Sequence, residues 1–362
     1  MWYSITNESS VFTPSILVYP DRIQENIRKM ISIASDASRL RPHIKTHKIP
    51  EIIQLQVSLG IRKFKCATLS EVEMAADNGG DDLLLAYPLA GPSIHHFLKI
   101  IARFPNKTFA VTVESLPAAK QLNQAAIQEG KTVRVFIDLD NGMHRTGIDP
   151  ERADELISFI RNTEGLHFAG LHIYDGHIHD MNFEERKIHA DRDFESVDKL
   201  VQKLERKGVK IEEMACGGSP TFPIHALHKE RTLCPGTPIL WDAGYTHDIP
   251  DLDFLPAAVI VGRVISRPLG NICFDMGHKA IASEMAHPRL KFLDFQPGEV
   301  LNHSEEHLVV APGDGADFEF GRLVYALPKH ICPTMALHEK VYVVSNHQVT
   351  GAWTVTARKR IY

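Results

Sequence analysis

Residues 133–174, VRVFIDLDNGMHRTGIDPERADELISFIRNTEGLHFAGLHIY, contain two apolar runs on either side of an amphipathic segment. The runs at 133–139 and 167–174 are rich in apolar residues, as strands buried on both faces of a parallel sheet are. Between them, residues 151–162 carry apolar side chains at the spacing of one helical face. The stretch therefore predicts a strand, a helix and a second strand in succession.

The same alternation extends to both sides of this stretch. Eight candidate strands occur at residues 39–45, 63–67, 82–87, 109–113, 133–139, 167–174, 212–218 and 238–244. Helical patterns separate most of them, at residues 50–59, 70–78, 92–103, 115–129, 151–162 and 184–206. This α/β alternation predicts a (β/α)8 TIM-like barrel over residues 12–248, whose opening segment 12–31 supplies a strand-like run and a helix.

The pattern changes past residue 250, where helical periodicity fades. Short β-prone segments separated by Gly, Pro, Asn and Asp follow at residues 257–268, 271–277, 307–313, 322–328, 340–346 and 352–362. Such segments predict a second, all-β domain over residues 249–362, which residues 1–11 could join.

The composition narrows the function classes. Forty Lys and Arg stand against 45 Asp and Glu, which gives a formal net charge of -5, and no long block of like charge occurs. Nucleic acid and membrane are therefore not expected as partners. Neither a signal peptide nor an apolar run long enough to span a bilayer is present, so a cytoplasmic location is predicted. Five cysteines over 362 residues do not predict a disulfide framework.

The motif RPHIKTHK, residues 41–48, gives the first chemical signal. Barrel enzymes carry their chemistry at the carboxyl ends of the strands, and Lys45 ends the first predicted strand. Such a lysine can form a Schiff base with an aldehyde cofactor when desolvation and neighbouring cations lower its pKa. Arg41, His43 and His47 are candidates for those neighbours. The alternative is a solvated basic loop.

Three other predicted strands also end in polar or aromatic residues. The residues are Asp138, Asp140 and Arg145 after 133–139, Tyr174, Asp175, His177 and His179 after 167–174, and Ser219 and Thr221 in CGGSPT after 212–218. A turn of small residues can direct backbone N–H groups and hydroxyls at a phosphate. Capping could explain any one cluster, but a lysine, a phosphate loop and partners for a ring together fit pyridoxal phosphate.

The chain resembles the D-threonine aldolase and D-serine dehydratase family, which shares its barrel with alanine racemase. The resemblance rests on RPHIKTHK, DLDNGMHRTG, YDGH, CGGSPT, WDAGY, SEEH and PKHICPT in this order, and it covers nearly the whole chain. It implies a fold-type III pyridoxal phosphate enzyme that forms homodimers. By this resemblance the first lysine of RPHIKTHK, Lys45, carries the cofactor.

The resemblance also implies which other residues bind pyridoxal phosphate. Arg145 would approach its phenolic oxygen and Tyr174 its pyridine ring. Gly217, Gly218 and Ser219 would bind the phosphate. The neighbouring motif residues His43, Thr221, Asp242 and Tyr245 complete the predicted cofactor set.

His330 and Cys332 in PKHICPT are the predicted metal ligands. On a strand, residues two apart point to one face, although a His-x-Cys pair taken alone is more often a coincidence than a metal site. Within the family, His-x-Asp resembles the aldolases and His-x-Cys the zinc-dependent dehydratases. A thiolate favours zinc over magnesium or calcium.

The predicted function is a metal-dependent lyase that acts on β-hydroxy-D-amino acids. D-threonine aldolase-like cleavage to glycine and an aldehyde is the first reading, with His177, His179 and Asp180 as candidates for the base. A zinc-dependent D-serine or 3-hydroxy-D-aspartate dehydratase is the alternative. An amino-acid racemase using Tyr325 or Tyr342 ranks third, and a pyridoxal phosphate carrier is the reading outside enzymes.

Overall fold

The computed structural model describes residues 1–313 and 318–361. The chain forms two compact units. The barrel unit comprises Met30–Lys45, Ile53–Gly236 and the C-terminal residues from Lys359. The mixed-sheet unit comprises Met1–Lys29, Thr46–Ile52 and Thr237–Arg358. Residues 237–248, which the sequence assigned to the barrel, thus belong to the mixed-sheet unit.

Strands and helices are numbered here in chain order. The strands are β1 Ser15–Val18, β2 Lys63–Cys66, β3 Asp82–Leu85, β4 Thr108–Val113, β5 Val133–Leu139, β6 Leu166–Ile173, β7 Glu213–Cys216, β8 Arg231–Leu233, β9 Ala258–Ser266, β10 Ile272–Phe274, β11 Leu290–Phe292, β12 Val300–His303, β13 Leu308–Val310, β14 Leu323–Pro328, β15 Lys340–Ser345 and β16 Gln348–Thr354. The helices are α1 Pro20–Ala34, α2 Pro50–Ser58, α3 Leu69–Asp77, α4 Pro92–Arg103, α5 Leu116–Gln128, α6 Ala153–Arg161, α7 Phe183–Arg206, α8 Phe222–Ala226, α9 Ala243–Asp248 and α10 Ile331–Leu337.

Strands β2 to β8 form one parallel sheet in sequence order. Residues 40–43, which precede β2, bridge the two edge strands of this sheet, β8 and β2. Arg41 N donates to Leu233 O at 2.8 Å, and Lys65 N donates to Pro42 O at 3.0 Å. Because Pro42 has no N–H, this segment makes isolated bridges instead of the strand predicted at 39–45. The predicted barrel is thus built from seven strands and a bridging segment.

The strand predicted at 238–244 is wrong. The last strand of the parallel sheet is β8, which comes earlier in the chain. Residues Thr237–Ile239 form a 3-10 helix, and Trp241 has a positive φ of 49°, which an extended strand excludes. Asp242 then caps α9.

The barrel interior contains a layer of buried residues contributed by successive strands. Its members are Leu84, Ala110, Phe136, Ala169, Ala215 and Cys234. Three alanines, Cys234 and Leu84 surround the one aromatic ring, so the strands pack around Phe136. The predicted helices all form, with ends within two residues of the predicted positions.

The mixed sheet follows the order β12-β13-β10-β9-β1-β15-β16, and β14 joins β9 to β11. β1 pairs antiparallel with β9 and parallel with β15. The strand-like run near the N-terminus, predicted to lead into the barrel, is therefore an inner strand of this sheet. Two short strands, β11 and β12, escaped the sequence prediction. No helix within the described residues is long and apolar enough to cross a membrane.

Candidate active site

Three cations surround the ring of Tyr174, which directly follows β6. Arg145 Cζ lies 4.8 Å from the ring centroid, Lys65 Nζ 5.1 Å and Lys45 Nζ 5.7 Å. Lys45 lies in a 3-10 turn at Ile44–Thr46. The structure therefore brings together the predicted Lys45, Arg145 and Tyr174 at the carboxyl end of the parallel sheet.

Lys65 is a functional candidate that the sequence prediction missed. It belongs to β2 and is only 2% exposed. Its Nζ has no hydrogen-bond partner among the described residues. Burial lowers the pKa of Lys65, and the positive charge of Lys45 acts in the same direction. The signal in the sequence was a charged residue, Lys65, inside the predicted strand KFKCA at residues 63–67.

Asp138 and His172 form a buried pair beside these cations. His172 Nδ1 lies 2.6 Å from Asp138 Oδ1, and Thr146 Oγ1 donates to Asp138 Oδ2 at 2.9 Å. Burial is the main cause that lowers the pKa of His172. Because a carboxylate can only accept, Nδ1 carries the proton of the neutral ring, and Nε2 remains an acceptor without a described partner.

The loop after β7 has its shape fixed by a buried network. Thr221 Oγ1 accepts from Gly218 N at 3.2 Å and donates to Asp175 Oδ1 at 2.7 Å. Asp175 Oδ2 lies 2.7 Å from His225 Nε2. Gly217 has a φ of 77°, and a Cβ there would lie 2.5 Å from the His225 ring. The Thr221 hydroxyl, predicted to bind the cofactor, is thus occupied in shaping the loop.

Ser219 is also part of this loop. It is 6% exposed, and its Oγ accepts from Gly236 N at 3.3 Å. Arg231 NH1 lies 3.0 Å from His225 Nδ1, which adds a buried cation behind the loop.

These residues fit an anionic, ring-shaped cofactor. Two buried nitrogens, Lys65 Nζ and His172 Nε2, lack partners in the described part of the chain, and three cations face one ring. Unpaired buried cations are costly, so an anionic group between them would be stabilising. A phosphate and a phenolate supply such charge.

Of the predicted neighbours of Lys45, His43 makes a contact, since its Nδ1 accepts from Lys45 N at 3.4 Å. The prediction for Arg41 is wrong. Its guanidinium pairs with Asp82 and Glu213, the first residues of β3 and β7, and so lies at the amino end of the sheet. His47 belongs to the mixed-sheet unit, where burial lowers its pKa to about 3.

Asp242 and Tyr245, predicted to bind the cofactor, lie in the mixed-sheet unit. Asp242 Oδ1 accepts from Tyr245 N at 2.9 Å, and Oδ2 accepts from Ile331 N at 3.0 Å. Burial raises the pKa of Asp242 to about 6. Each carboxylate oxygen thus holds the start of one helix, and a cofactor role for the two residues stays a prediction.

The predicted metal pair lies at the start of α10. The strand expected there is wrong, because His330 is the residue before the helix and Cys332 lies in its first turn. The two side chains nevertheless meet. Burial alone would lower the pKa of His330, but a hydrogen bond and the charge of Cys332, followed by Asp242 and Glu284, raise it to about 9. Cys332 Sγ lies 3.2 Å from Thr46 Oγ1.

Two of the three predicted base candidates, His177 and Asp180, belong to a polar cluster. His177 Nε2 lies 2.8 Å from Asp193 Oδ2, and His189 Nδ1 lies 2.7 Å from Asp180 Oδ2. His179 is exposed. His189 and Asp193 on α7 were not predicted, although their spacing of four residues was a signal for one helical face.

The two tyrosines considered for a racemase are engaged elsewhere. Tyr325 OH donates to Glu8 Oε1 at 3.1 Å, and Tyr342 OH accepts from Phe12 N at 3.4 Å. Both rings are buried in the mixed-sheet unit. Their hydroxyls therefore bind the N-terminal segment.

A parallel barrel with a cationic, partly unpaired group of side chains at its strand ends is typical of a cofactor-dependent enzyme. The family model described as "Alanine racemase, N-terminal domain" matches residues 18–238, and that described as "Putative serine dehydratase domain" matches residues 257–344. The chain belongs to the family of the alanine racemase N-terminal domain.

Full-length relatives agree with both matches. A D-threonine aldolase of Arthrobacter sp is 28% identical over 96% of this chain and 93% of its own length. A 3-hydroxy-D-aspartate aldolase of Paracoccus denitrificans is 28% identical over 98% of this chain and 94% of its own. The solved D-threonine aldolase from Filomicrobium marinum matches with a TM-score of 0.86 and 25% identity, over 99% of this chain and 98% of that one.

These similarities confirm the predicted resemblance and the predicted fold class. The chain is an enzyme of the lyase type, and pyridoxal phosphate is the cofactor that its family implies. The carrier reading is set aside, because the relatives match along both halves of the chain.

Proposed function

We propose that this enzyme is a pyridoxal phosphate- and zinc-dependent lyase that cleaves β-hydroxy-D-amino acids to glycine and an aldehyde, as D-threonine aldolase does. The convergence of Lys45, Lys65 and Arg145 on the ring of Tyr174 carries the proposal. The similarity to aldolases over nearly the full chain supports the reaction.

The barrel unit supplies the residues that would hold the cofactor. Lys45 would hold it covalently, Arg145 and Tyr174 would orient its ring, and the Gly217–Ser219 loop would bind its phosphate. When bound, pyridoxal phosphate supplies a ring that accepts the electron pair released at the substrate's Cα. The buried Asp175–His225 network keeps the phosphate loop in one shape before the cofactor arrives.

His330 and Cys332 would hold the metal ion. A thiolate and an imidazole favour zinc, and two protein ligands leave positions for water and for a substrate oxygen. Zinc, when bound, supplies a Lewis acid. Glu284 Oε1 lies 2.8 Å from His330 Nδ1, so this carboxylate would orient the imidazole as acids beside metal-binding histidines do.

Aldol cleavage also requires a base for the proton of the β-hydroxyl. His177, His179 and Asp180 stay the predicted candidates. His177 and Asp180 are hydrogen-bonded to Asp193 and His189, which fixes their orientation.

Product identification tests the proposal. Full-length protein is incubated with pyridoxal phosphate, Zn²⁺ and D-threonine, with L-threonine as the matched control for stereochemistry. Acetaldehyde with glycine from the D isomer alone is the expected result. A Lys45→Ala variant should give neither product, and equal turnover of L-threonine would contradict the proposal.

A D-serine or 3-hydroxy-D-aspartate dehydratase is the second candidate. Cys332 favours it, since the His-x-Cys pair resembles the dehydratases, and residues 257–344 match a serine dehydratase domain. In the same incubation, 2-oxobutanoate with ammonia would establish this reaction instead. The homodimer and the cytoplasmic location stay predictions, and sedimentation of the holoenzyme would test the first.

A further inference from the structure

A cluster of nitrogen and oxygen ligands lies in the barrel unit at the start of α7. His177 follows β6, whereas His189 and Asp193 are four residues apart on α7 and so lie on one helical face. His177 Nε2 lies 2.8 Å and His189 Nε2 3.3 Å from the same oxygen, Asp193 Oδ2. All three ligand atoms lie within 4.8 Å of one another.

The hydrogen-bond pattern favours a cation within this cluster. His189 faces a carboxylate oxygen with each ring nitrogen, Asp180 Oδ2 at 2.7 Å and Asp193 Oδ2 at 3.3 Å. A neutral imidazole has one N–H, so both contacts are satisfied only when the other nitrogen carries a second proton or a metal ion. A metal ion on Nε2 meets this requirement and leaves Nδ1–H to donate to Asp180, an arrangement common around metal-binding histidines.

The backbone leaves space beside the ligand atoms. Gly142, in the loop after β5, has a φ of 131°. A Cβ there would lie 2.7 Å from His177 Nε2 and 3.2 Å from Asp193 Oδ2. The other oxygen of Asp193 accepts from Arg192 Nε at 3.0 Å, which leaves Oδ2 for the cluster.

We propose that His177, His189 and Asp193 bind a divalent transition-metal ion, with Asp180 as the carboxylate that orients His189. Two imidazoles and one carboxylate form a set that suits zinc, cobalt or nickel better than magnesium or calcium. The site belongs to the barrel unit and contains no thiolate. Its ligands tie the loop that begins at Tyr174 to α7, so the ion would hold the cofactor-facing segment in place.

Cobalt titration tests this site apart from the one proposed at Cys332. Full-length protein carrying Cys332→Ser is freed of metal with a chelator and titrated with Co²⁺. Bound metal is counted by equilibrium dialysis, and the visible spectrum is recorded. We expect one bound Co²⁺ per chain without the charge-transfer absorption of a cobalt–thiolate bond. No stoichiometric cobalt would overturn the proposal.

Variants on the same background locate the ion. Added His189→Asn should abolish stoichiometric binding, and Asp180→Asn should weaken it roughly 10- to 100-fold. His179→Asn is the matched control, because His179 is an exposed residue of the same loop outside the cluster. Circular dichroism checks that each variant is folded, and Asp193→Asn replaces any that is not. Unchanged stoichiometric binding in His189→Asn, or in Asp193→Asn where it replaces that variant, would overturn the assignment, as would loss of binding in His179→Asn.

Discussion

A lysine buried without a counter-ion destabilises the folded chain unless a ligand compensates. Lys65 is in this position, because burial lowers its pKa and its Nζ has no partner among the described residues. Its position beside Tyr174 explains why the fold would keep it. The same ammonium that weakens the cofactor-free protein would strengthen cofactor binding.

Lys65→Met should therefore have opposite effects on stability and on binding. Without cofactor, we expect the variant to be more stable at neutral pH by roughly 1–3 kcal/mol, because Met fills a similar volume without a charge. The folded chain releases the Lys65 proton at a lower pH than the unfolded chain. Wild-type stability should thus rise with pH toward the ordinary lysine value of 10.5, and the gain from Met should shrink there.

Urea unfolding across this pH range measures the stability effect. Titration with pyridoxal phosphate, followed by protein fluorescence, should give about tenfold weaker binding, equal to about 1.4 kcal/mol. A variant that is less stable than wild type and binds the cofactor equally well would refute this role for Lys65.

Lys45→Ala should abolish the visible absorbance of cofactor bound to a lysine. The reason is that, in the proposed function, Lys45 supplies the amine that binds the cofactor covalently. Lys65 on β2 also lies close to the Tyr174 ring, but it has no covalent role in the proposal. Lys48→Ala, in the same motif, is the matched control and should keep the band. The absorbance spectrum of each purified variant, recorded with added pyridoxal phosphate, decides between them. A band that survives in Lys45→Ala would place the linkage on another lysine.

At the scale of the elements, the amino ends of three strands are joined by one ionic network. Arg41 is fully buried and binds Glu213 at 2.8 Å and Asp82 at 3.0 Å, and Lys63 binds Glu213 at 3.3 Å. Burial would raise the pKa of Glu213, but the charge of Arg41 lowers it to about 2. The contacts of β7 with Arg41 and with Lys63 on β2 are therefore ion pairs only while Glu213 is ionised.

Glu213→Gln should lower the free energy of unfolding by roughly 3–5 kcal/mol at neutral pH, since Arg41 would lose a buried partner. In wild type, the shift from 4.5 to about 2 corresponds to about 3 kcal/mol, present above pH 4.5 and lost as the pH falls toward 2. Urea unfolding between these pH values should show this acid loss in wild type and much less of it in the variant.

Glu212→Gln is the control for this experiment. Glu212 is exposed and pairs with Arg134 at 2.9 Å, so its loss should cost no more than about 1 kcal/mol. Equal losses of stability in the two variants would show that the buried Arg41–Glu213 pair stabilises the fold no more than the exposed pair does.

Asp242→Ala should destabilise the chain by about 2–4 kcal/mol, because one side chain binds the first N–H groups of α9 and α10. Asp242→Asn should fall between wild type and Ala, since an amide retains one acceptor oxygen. Urea unfolding of the three proteins checks the order. An Asn variant as unstable as Ala would mean that the charge, and not the hydrogen bonds, is what stabilises the two helices.

At the scale of the whole molecule, periodicity predicted the helices because each has one buried face. A short apolar run does not by itself distinguish a strand from a buried turn. PILWDAG was therefore predicted to be a strand, although the positive φ of Trp241 excludes extended backbone there. Only long-range pairing reveals that β1 belongs to the mixed sheet. Lys65 was missed because it is a single polar residue whose neighbours at the site are distant in sequence. His189 and Asp193 were missed because two polar residues four apart are ordinary on a helix, and their third partner, His177, lies outside α7.

The position of β1 also decides when the protein can finish folding. β1 leaves the ribosome long before its neighbours β9 and β15 are synthesised. Until then its backbone groups have no sheet to join, and an unpaired apolar strand invites aggregation. Ser70 Oγ also donates to Lys359 O at 2.6 Å, so the barrel unit includes a contact with a residue that follows β16 in the chain. The native contacts of β1 and of Ser70 can therefore form only after the chain from β15 to Lys359 has been synthesised.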